Sequence, residues 1–349
     1  MMSGEIKILG AGISGLTASI NLAKGGFDVT VFEKSSSVGS RFHNDFQGLE
    51  NWSDETDALE ILKNLSLKTN FWNKGFKKAS IYTDLQKEFI AKDADNLFYL
   101  VQRGPEDSLD ENLKNQALDA GVKIKFNSRM AREECDIIAT GVSGRKPVGV
   151  VKGIVFDTDS EDSIILILND KFAFKGYSYL LVADGKATLA CVVIKDLSKA
   201  NLCFKNSFQA FSKLKKFDIK NMRSFAGYGT FAMNESNKQN QKLYVGEAAG
   251  FQDLFLGFGM KYALLSGYAA AKSIMEEKDY DMIWRGLFLD KQKASAANRL
   301  IYEISGFWGY NYIANRLSNS RSPKSWLKDQ YSTSLSKRLI YPFTKFSNG

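Results

Sequence analysis

Apolar positions recur along this chain with two different periods, and the change of period marks its elements. Ile6, Ile8 and Leu9 form a short apolar run that predicts a buried strand. Leu16 to Lys24 reads as a helix, ended by Gly25 and Gly26. Val29, Val31 and Phe32 predict a second strand, with Glu33 at its end. Further on, "FYLVQR" predicts a strand ending at Arg103, and a helix follows from about Asp107 to Ala120. Gly121 suits the position just past a helix end. Val122, Ile124 and Phe126 then alternate as a strand, and "CDIIATG" predicts another.

The middle of the chain has mostly period two. "ASIYTDLQKEFIA", "GVVKGIVFD", "SIILILN", "KFAFKGYSYLLVA" and "ATLACVVI" alternate as strands. Asp184 and Gly185 lie between two such runs and predict a hairpin turn. "NSFQAFSKLKKF" returns to helical spacing, with Phe208, Phe211 and Leu214 on one face. The tail from about 281 reads as helical.

Gly10, Gly12 and Gly15 sit between the first strand and the first helix as G-x-G-x-x-G. Gly10 permits a tight turn, Gly12 lets a pyrophosphate approach the backbone, and Gly15 lets helix and strand pack closely. The helix start, including Ser14, offers free N–H groups to that phosphate. Glu33 follows at the distance of a ribose-binding acid, with Lys34 beside it. Strand, turn, helix and acid together point to a dinucleotide site.

Later motifs extend the pattern. They are Gly39 and Arg41, Arg103, Ala139-Thr140-Gly141, and "LYVGEAAG" followed by "GFGMKYALLSGYAAA". In this order they resemble the FAD-dependent oxidoreductases of the p-hydroxybenzoate hydroxylase type, and within them the geranylgeranyl reductase-like branch. The likeness spans roughly residues 4 to 275. Gly246, Ala248, Ala249, Gly250, Gly257, Gly259, Ser266 and Gly267 match the family's second glycine motif.

The resemblance implies an α/β fold. A Rossmann-type FAD-binding domain would carry an inserted antiparallel β-sheet substrate domain and a C-terminal helical region. The expected limits are 1–75, 101–145 and 240–280 for the discontinuous FAD domain, 76–100 and 146–239 for the substrate domain, and 281–349 for the tail. It also implies FAD contacts at Arg41, Arg103, Ala139, Thr140, Gly141, Gly246 and Glu247. Gly257, Phe258, Gly259 and Met260 would run along the flavin ring. NAD(P)H or a ferredoxin-like donor would reduce the flavin, which supplies hydride or electron transfer.

Three departures accompany it. Glu247 stands where the family has Asp, and Thr140 replaces the Asp of its nicotinamide-related motif. The archaeal members' cysteine after the Arg41 region is absent; His43, Asn44 and Asp45 occupy that place. Tyr177 and Tyr179 stand on the strand that resembles the reductases' Tyr-x-Trp strand, and alternation puts them on one face. With His43 they are the candidate proton donors or substrate contacts.

The leading expectation is reduction of C=C bonds in an isoprenoid or other hydrophobic substrate. An FAD-dependent monooxygenase or dehydrogenase of a small aromatic or polar substrate is the alternative. A non-catalytic lipid-binding protein on the same fold is a third. The 25 Phe residues suit an apolar pocket.

Charge adds one feature. Residues 282–349 hold 11 Lys and Arg against 3 Asp and Glu, which accounts for the whole net charge of +8. Such a tail suits peripheral contact with an anionic lipid surface, or is simply a solvated helical face. No nucleic-acid partner is expected, and the sequence leaves the oligomeric state open. Cys135, Cys191 and Cys203 lack metal-ligand spacing, no metal site is expected, and they read as small core residues. No signal peptide or membrane-spanning run is read, so the expected location is cytoplasmic, at most peripheral to the inner face of the membrane.

Overall fold

Three sheets and a helical tail organise the chain. The computed structural model describes residues 4–142 and 146–344. The expected domain limit at 145 and both chain ends lie outside the described residues.

The first sheet has six strands. Their order is Lys238–Gln239, Lys242–Tyr244, Ile137–Ile138, Ile6–Leu9, Val29–Phe32 and Lys123–Lys125. All pairings are parallel except the hairpin at 238–244. Ile8 pairs with Val31 on one side and Ile137 on the other, and all three are buried. Buried strands with both faces covered need apolar residues throughout, as the chain has here. The helices Ile13–Lys24, Leu109–Asp119 and Met260–Met275 share this core. The first of them begins at Ile13, three residues before the expected start, so Gly15 lies inside its first turn.

The second sheet has seven strands, in the order Lys220–Gly229, Gly149–Asp157, Lys186–Ile194, Tyr177–Ala183, Ser163–Ile167, Lys78–Tyr82 and Glu88–Lys92. Only the contact between Ser163–Ile167 and Lys78–Tyr82 is parallel. Asp184 (φ 47°) and Gly185 (φ 79°) form the two-residue turn between Tyr177–Ala183 and Lys186–Ile194. Two positive φ values in a row match the right-handed twist of the flanking strands. The helix Ala200–Leu214 covers one face through Phe208, Phe211 and Leu214. Leu180 and Val182 point to that helix. Tyr177, Tyr179 and Leu181 therefore point to the other side.

One expected strand is shorter than its pattern. "KFAFKG" is a turn, and the strand starts only at Tyr177. Asn169 accepts hydrogen bonds from Lys171 N, Phe172 N and Ala173 N, which curls the backbone before it can join the sheet. Lys175 has φ 52°, and Gly176 packs so close to Val192 O that a Cβ would sit 1.7 Å from it.

A small antiparallel sheet, Asp45–Glu50, Phe98–Arg103 and Asn73–Phe76, lies between the larger two. Residues 280–343 of the tail are largely helical, and the longest helix, Asp290–Asn319, breaks at Gly306 (φ 52°, ψ −136°). Among the described residues no helix is long and apolar enough to cross a membrane. The three cysteines are free and buried, and burial pushes the Cys135 thiol up to about 11.

A buried charge network ties the small sheet to two helices. Lys261, 3% exposed, contacts both Glu50 and Asp54, and Lys291 of the tail contacts Asp54. Burial raises the Asp54 pKa, but the two ammonium groups outweigh it and hold the carboxyl at about 2. A depressed carboxyl stabilises the fold above its unfolded pKa, and that contribution is lost as pH falls toward its folded value. Lys261→Met leaves buried Glu50 without its cation and Asp54 with Lys291 alone, and is expected to cost about 3–5 kcal/mol in urea unfolding. In the same assay the wild type should lose stability between about pH 4 and pH 2 more steeply than Asp54→Asn. Equal slopes would show that the network carries no linkage.

Candidate functional site

The first wall of the site is the turn after Leu9. Gly10 has φ 108°, and a Cβ there would lie 2.4 Å from Ala139 O. A Cβ on Gly15 would lie 2.1 Å from Gly10 O. These two glycines are thus demanded by packing. Gly12 differs, because a Cβ there would meet nothing within 4 Å. It caps the Ile13–Lys24 helix with no side-chain hydrogen bond. Helix N–H groups therefore face open space, as an anion requires. Glu33 stands beside them, accepting Ala11 N and Ser35 N at 2.9 Å each. Lys34 is exposed.

Ala139, Thr140 and Gly141 follow the Ile137–Ile138 strand and border this turn. The Thr140 hydroxyl oxygen is buried and lacks a hydrogen-bond partner among the described residues. Gly141 has φ 65° and open space beside it. An unfilled helix start, an unpartnered hydroxyl and a cradle bare of side chains fit the pyrophosphate and sugar of a dinucleotide.

The second wall comes from the segment 246–260. Gly246 N donates to Ser266 Oγ at 2.8 Å, and a Cβ on Gly246 would lie 2.7 Å from Ser14 Oγ. That contact joins the two glycine motifs. Glu247 lines the adjoining cavity. One of its oxygens accepts Thr230 N at 3.0 Å and the other lies 3.8 Å from Arg41. Burial raises its pKa, while Arg41 opposes the rise.

Arg103 is placed differently from the expectation. It is buried and gives two hydrogen bonds to Asp110, at 2.7 and 2.9 Å, and one to Gln47 at 3.3 Å. The Phe42 ring lies 4.4 Å from Arg103 and 4.6 Å from Arg41. Arg41 reaches the cavity wall, while Arg103 stands behind it and is not part of the lining.

Against this wall lies a cavity of about 370 Å³. Tyr177 and Tyr179 form part of its face on the large sheet, and Phe46, Trp52 and Phe98 lie opposite. Gly257, Phe258, Gly259 and Met260 border it. The Tyr177 hydroxyl donates to Leu256 O at 2.7 Å, and a Cβ on Gly257 would lie 3.2 Å from that hydroxyl. Phe258 packs edge-on to Trp52, with ring centroids 4.8 Å apart. Met260 opens the helix Met260–Met275. Burial raises both tyrosine pKa values, so both phenols stay protonated at neutral pH.

Of the three catalytic candidates, the structure brings Tyr177 and Tyr179 together, with ring centroids 6.0 Å apart. His43 is exposed and outside the lining; its backbone N–H donates to Asp45 at 3.1 Å. Sequence reasoning named Asp45 without giving it a role, and it missed Gln47 and Trp52, which no motif singles out. It also missed Ile313, Leu317 and Leu327, by which the tail closes the cavity. The spacing of Ile313 and Leu317 on one helix face was the available signal.

Gly12→Ala places a Cβ in the open space at the helix start, with no protein atom within 4 Å of it. It should fold normally yet retain FAD at least about tenfold more weakly. Visible flavin absorbance after desalting, beside an unchanged urea midpoint, checks this. Full retention would place the pyrophosphate elsewhere.

Comparisons with known proteins agree with this geometry. A family model of NAD(P)-binding Rossmann-like domains matches residues 8–49. Over 72 residues, 21% of the chain, there is 35% identity to thiamine thiazole synthases of Pyrococcus horikoshii and Pyrococcus abyssi. The match spans 29% of the length of each relative. Among solved structures, a geranylgeranyl bacteriochlorophyll reductase-like protein of Thermoplasma acidophilum aligns over 98% of both chains, with TM-score 0.69 and 17% identity. A flavin-dependent brominase aligns over 97% of this chain and 94% of its own, with TM-score 0.64 and 17% identity. A flavoprotein/dehydrogenase of Cytophaga hutchinsonii aligns over 98% and 96%, with TM-score 0.64 and 14% identity. The chain thus has a p-hydroxybenzoate-hydroxylase-like FAD/NAD(P)-binding fold, shared with geranylgeranyl-reductase-like and related flavoenzyme structures.

Proposed function

We propose that the protein is an FAD-dependent oxidoreductase acting on a hydrophobic small organic substrate held in the 370 Å³ cavity. The observation that carries this reading is continuity. Arg41, Glu247 and residues 257–260 belong to the expected cofactor contacts and also line the cavity. A cofactor lying along them would present its ring to whatever fills the apolar space.

FAD, when bound, supplies the transfer of hydride or electrons between donor and substrate. The chain supplies the rest. The N-terminus of Ile13–Lys24 and the Gly12 cradle bind phosphate. Glu33 and Glu247 would accept hydrogen bonds from the sugar hydroxyls of bound FAD. Gly257 and Gly259 keep side chains out of the ring's path. The N-terminus of Met260–Met275 favours negative charge beside the ring. Tyr177 and Tyr179 shape the substrate face, and Ile313, Leu317 and Leu327 exclude water. Glu247 turns toward the cavity, which supports a cofactor-bearing protein over an empty binding module.

The reading is held at the level of oxidoreductase. An apolar wall with protonated phenols suits an alkene awaiting reduction and an aromatic ring awaiting oxygen or halogen equally well. Brominase and reductase-like structures alike share the fold. NAD(P)H or a ferredoxin-like protein is the proposed reductant.

The test uses purified holoprotein, reduced anaerobically and then offered polyprenyl alkenes or small aromatics, with and without oxygen. At least one compound should accelerate flavin reoxidation, and product mass distinguishes a gain of two hydrogens from a gain of one oxygen. Leu317→Trp, which fills the cavity, should keep FAD and lower that acceleration at least about tenfold. Reoxidation indifferent to every compound would defeat the proposal.

A further inference from the structure

Three carboxylates line the cavity: buried Asp45 and Asp253, and half-buried Glu247. Their partners separate them. Asp253 is fully engaged, accepting hydrogen bonds from Ser295 Oγ at 2.6 Å, Tyr331 Oη at 2.8 Å, Phe255 N and Leu256 N. It braces the 253–258 turn. Glu247 accepts Thr230 N and faces Arg41. Asp45 is 2% exposed and has one neutral donor on each oxygen, His43 N at 3.1 Å and Gln47 Nε2 at 2.9 Å. No ion pair engages it among the described residues. The two nearby guanidinium groups are directed elsewhere, Arg103 to Asp110 and Arg41 toward Glu247.

A buried carboxylate without a cation in contact favours its protonated form. Burial does raise the Asp45 pKa, against smaller opposing effects of Gln47, His43 N and Arg103. The charged or titratable groups facing it are Arg103 from the Phe98–Arg103 strand, Tyr179 from the large sheet, and Arg41 from the preceding loop. Tyr179 stays protonated and has no hydrogen bond among its influences. Asp45, Gln47 and Tyr179 therefore form one polar corner of the lining.

We propose that Asp45 is the proton-exchanging group of this cavity. The inference rests on the oxidoreductase reading. In the reductive direction the Asp45 O–H bond breaks and its proton forms a new bond to a substrate atom. The substrate's π bond breaks: the hydride that bound reduced FAD would supply forms the bond at one atom, the freed electron pair takes the Asp45 proton at the other, and Asp45 is left as carboxylate. Water at the exposed Arg41–His43 edge returns the proton. In the opposite direction the carboxylate accepts the proton that leaves the substrate. Asp45 itself changes no oxidation state.

The test is made on FAD-loaded protein with Asp45→Asn and Asp45→Glu. Infrared titration of wild type should show a buried carboxyl C=O band that persists above the usual carboxylate range, lost in Asp45→Asn and shifted in Asp45→Glu. FAD content should not change. With the substrate found by flavin reoxidation, Asp45→Asn should lower kcat about 100-fold or more, and Asp45→Glu should restore part of it. Wild-type kcat should fall as pH rises through the Asp45 titration, and Asp45→Asn should lose that limb. An unchanged carboxyl band, or a kcat within about threefold of wild type with the same pH profile, would overturn the proposal. If wild type accelerates with no substrate, the oxidoreductase reading fails, and the infrared band still decides whether Asp45 holds a proton.

Discussion

The structure depends on how closely the first helix approaches the segment that returns some 230 residues later. A Cβ on Gly267 would lie 2.2 Å from Ser14 O, and one on Gly246 would lie 2.7 Å from Ser14 Oγ. At Gly267 backbone meets backbone, and at Gly246 backbone meets the Ser14 hydroxyl. Gly10 and Gly15 impose the same closeness on the turn and the Ala139 loop. Interiors pack at near-crystalline density, so each extra methyl group would force whole elements apart. The dinucleotide cradle exists because these elements cannot be separated further.

That closeness fixes where the cavity can be. The 246–260 segment leaves the cradle, passes under the Tyr177–Ala183 strand and starts a helix at Met260. Asp253 braces the turn through four nearby donors. Lys261 then pins the helix start to Glu50 and Asp54, and Lys291 joins the tail to Asp54. The Asp45–Glu50 strand is held at both ends, by Arg103 register pairing at Asp45 and by the charge network at Glu50. Substrate space is thus bounded by elements from several distant stretches of chain. A site built this way can change its lining residues while the cradle stays constant, which explains why one fold serves different chemistries.

Much of this was legible in the sequence. The Gly10, Gly12 and Gly15 pattern follows from local geometry and a phosphate's needs, so its spacing is visible without a partner segment. Asp184 and Gly185 announce their hairpin because few residues tolerate two positive φ values. Alternation placed Tyr177 and Tyr179 on one face. Other features were not legible. "KFAFKG" alternates like a strand, yet Asn169 side-chain bonding curls it into a turn. Lys220–Gly229 is a long strand, but its mixture of polar, aromatic and glycine residues carries no strand pattern. Arg103 reads as a cofactor contact, and only the fold shows Asp110 seven residues later claiming its guanidinium.

The sequence by itself determined the dinucleotide cradle, the alternation of the large sheet and the concentration of basic charge in the tail. Each is a property of neighbours within about one or two elements, where spacing alone sets geometry. Only the tertiary structure decided which side chains share the cavity. It excluded His43, brought in Asp45 and Trp52, and closed the space with Ile313, Leu317 and Leu327. Those choices depend on contacts between residues hundreds of positions apart. They depend too on which carboxylates find cations when buried, and no local pattern encodes that competition.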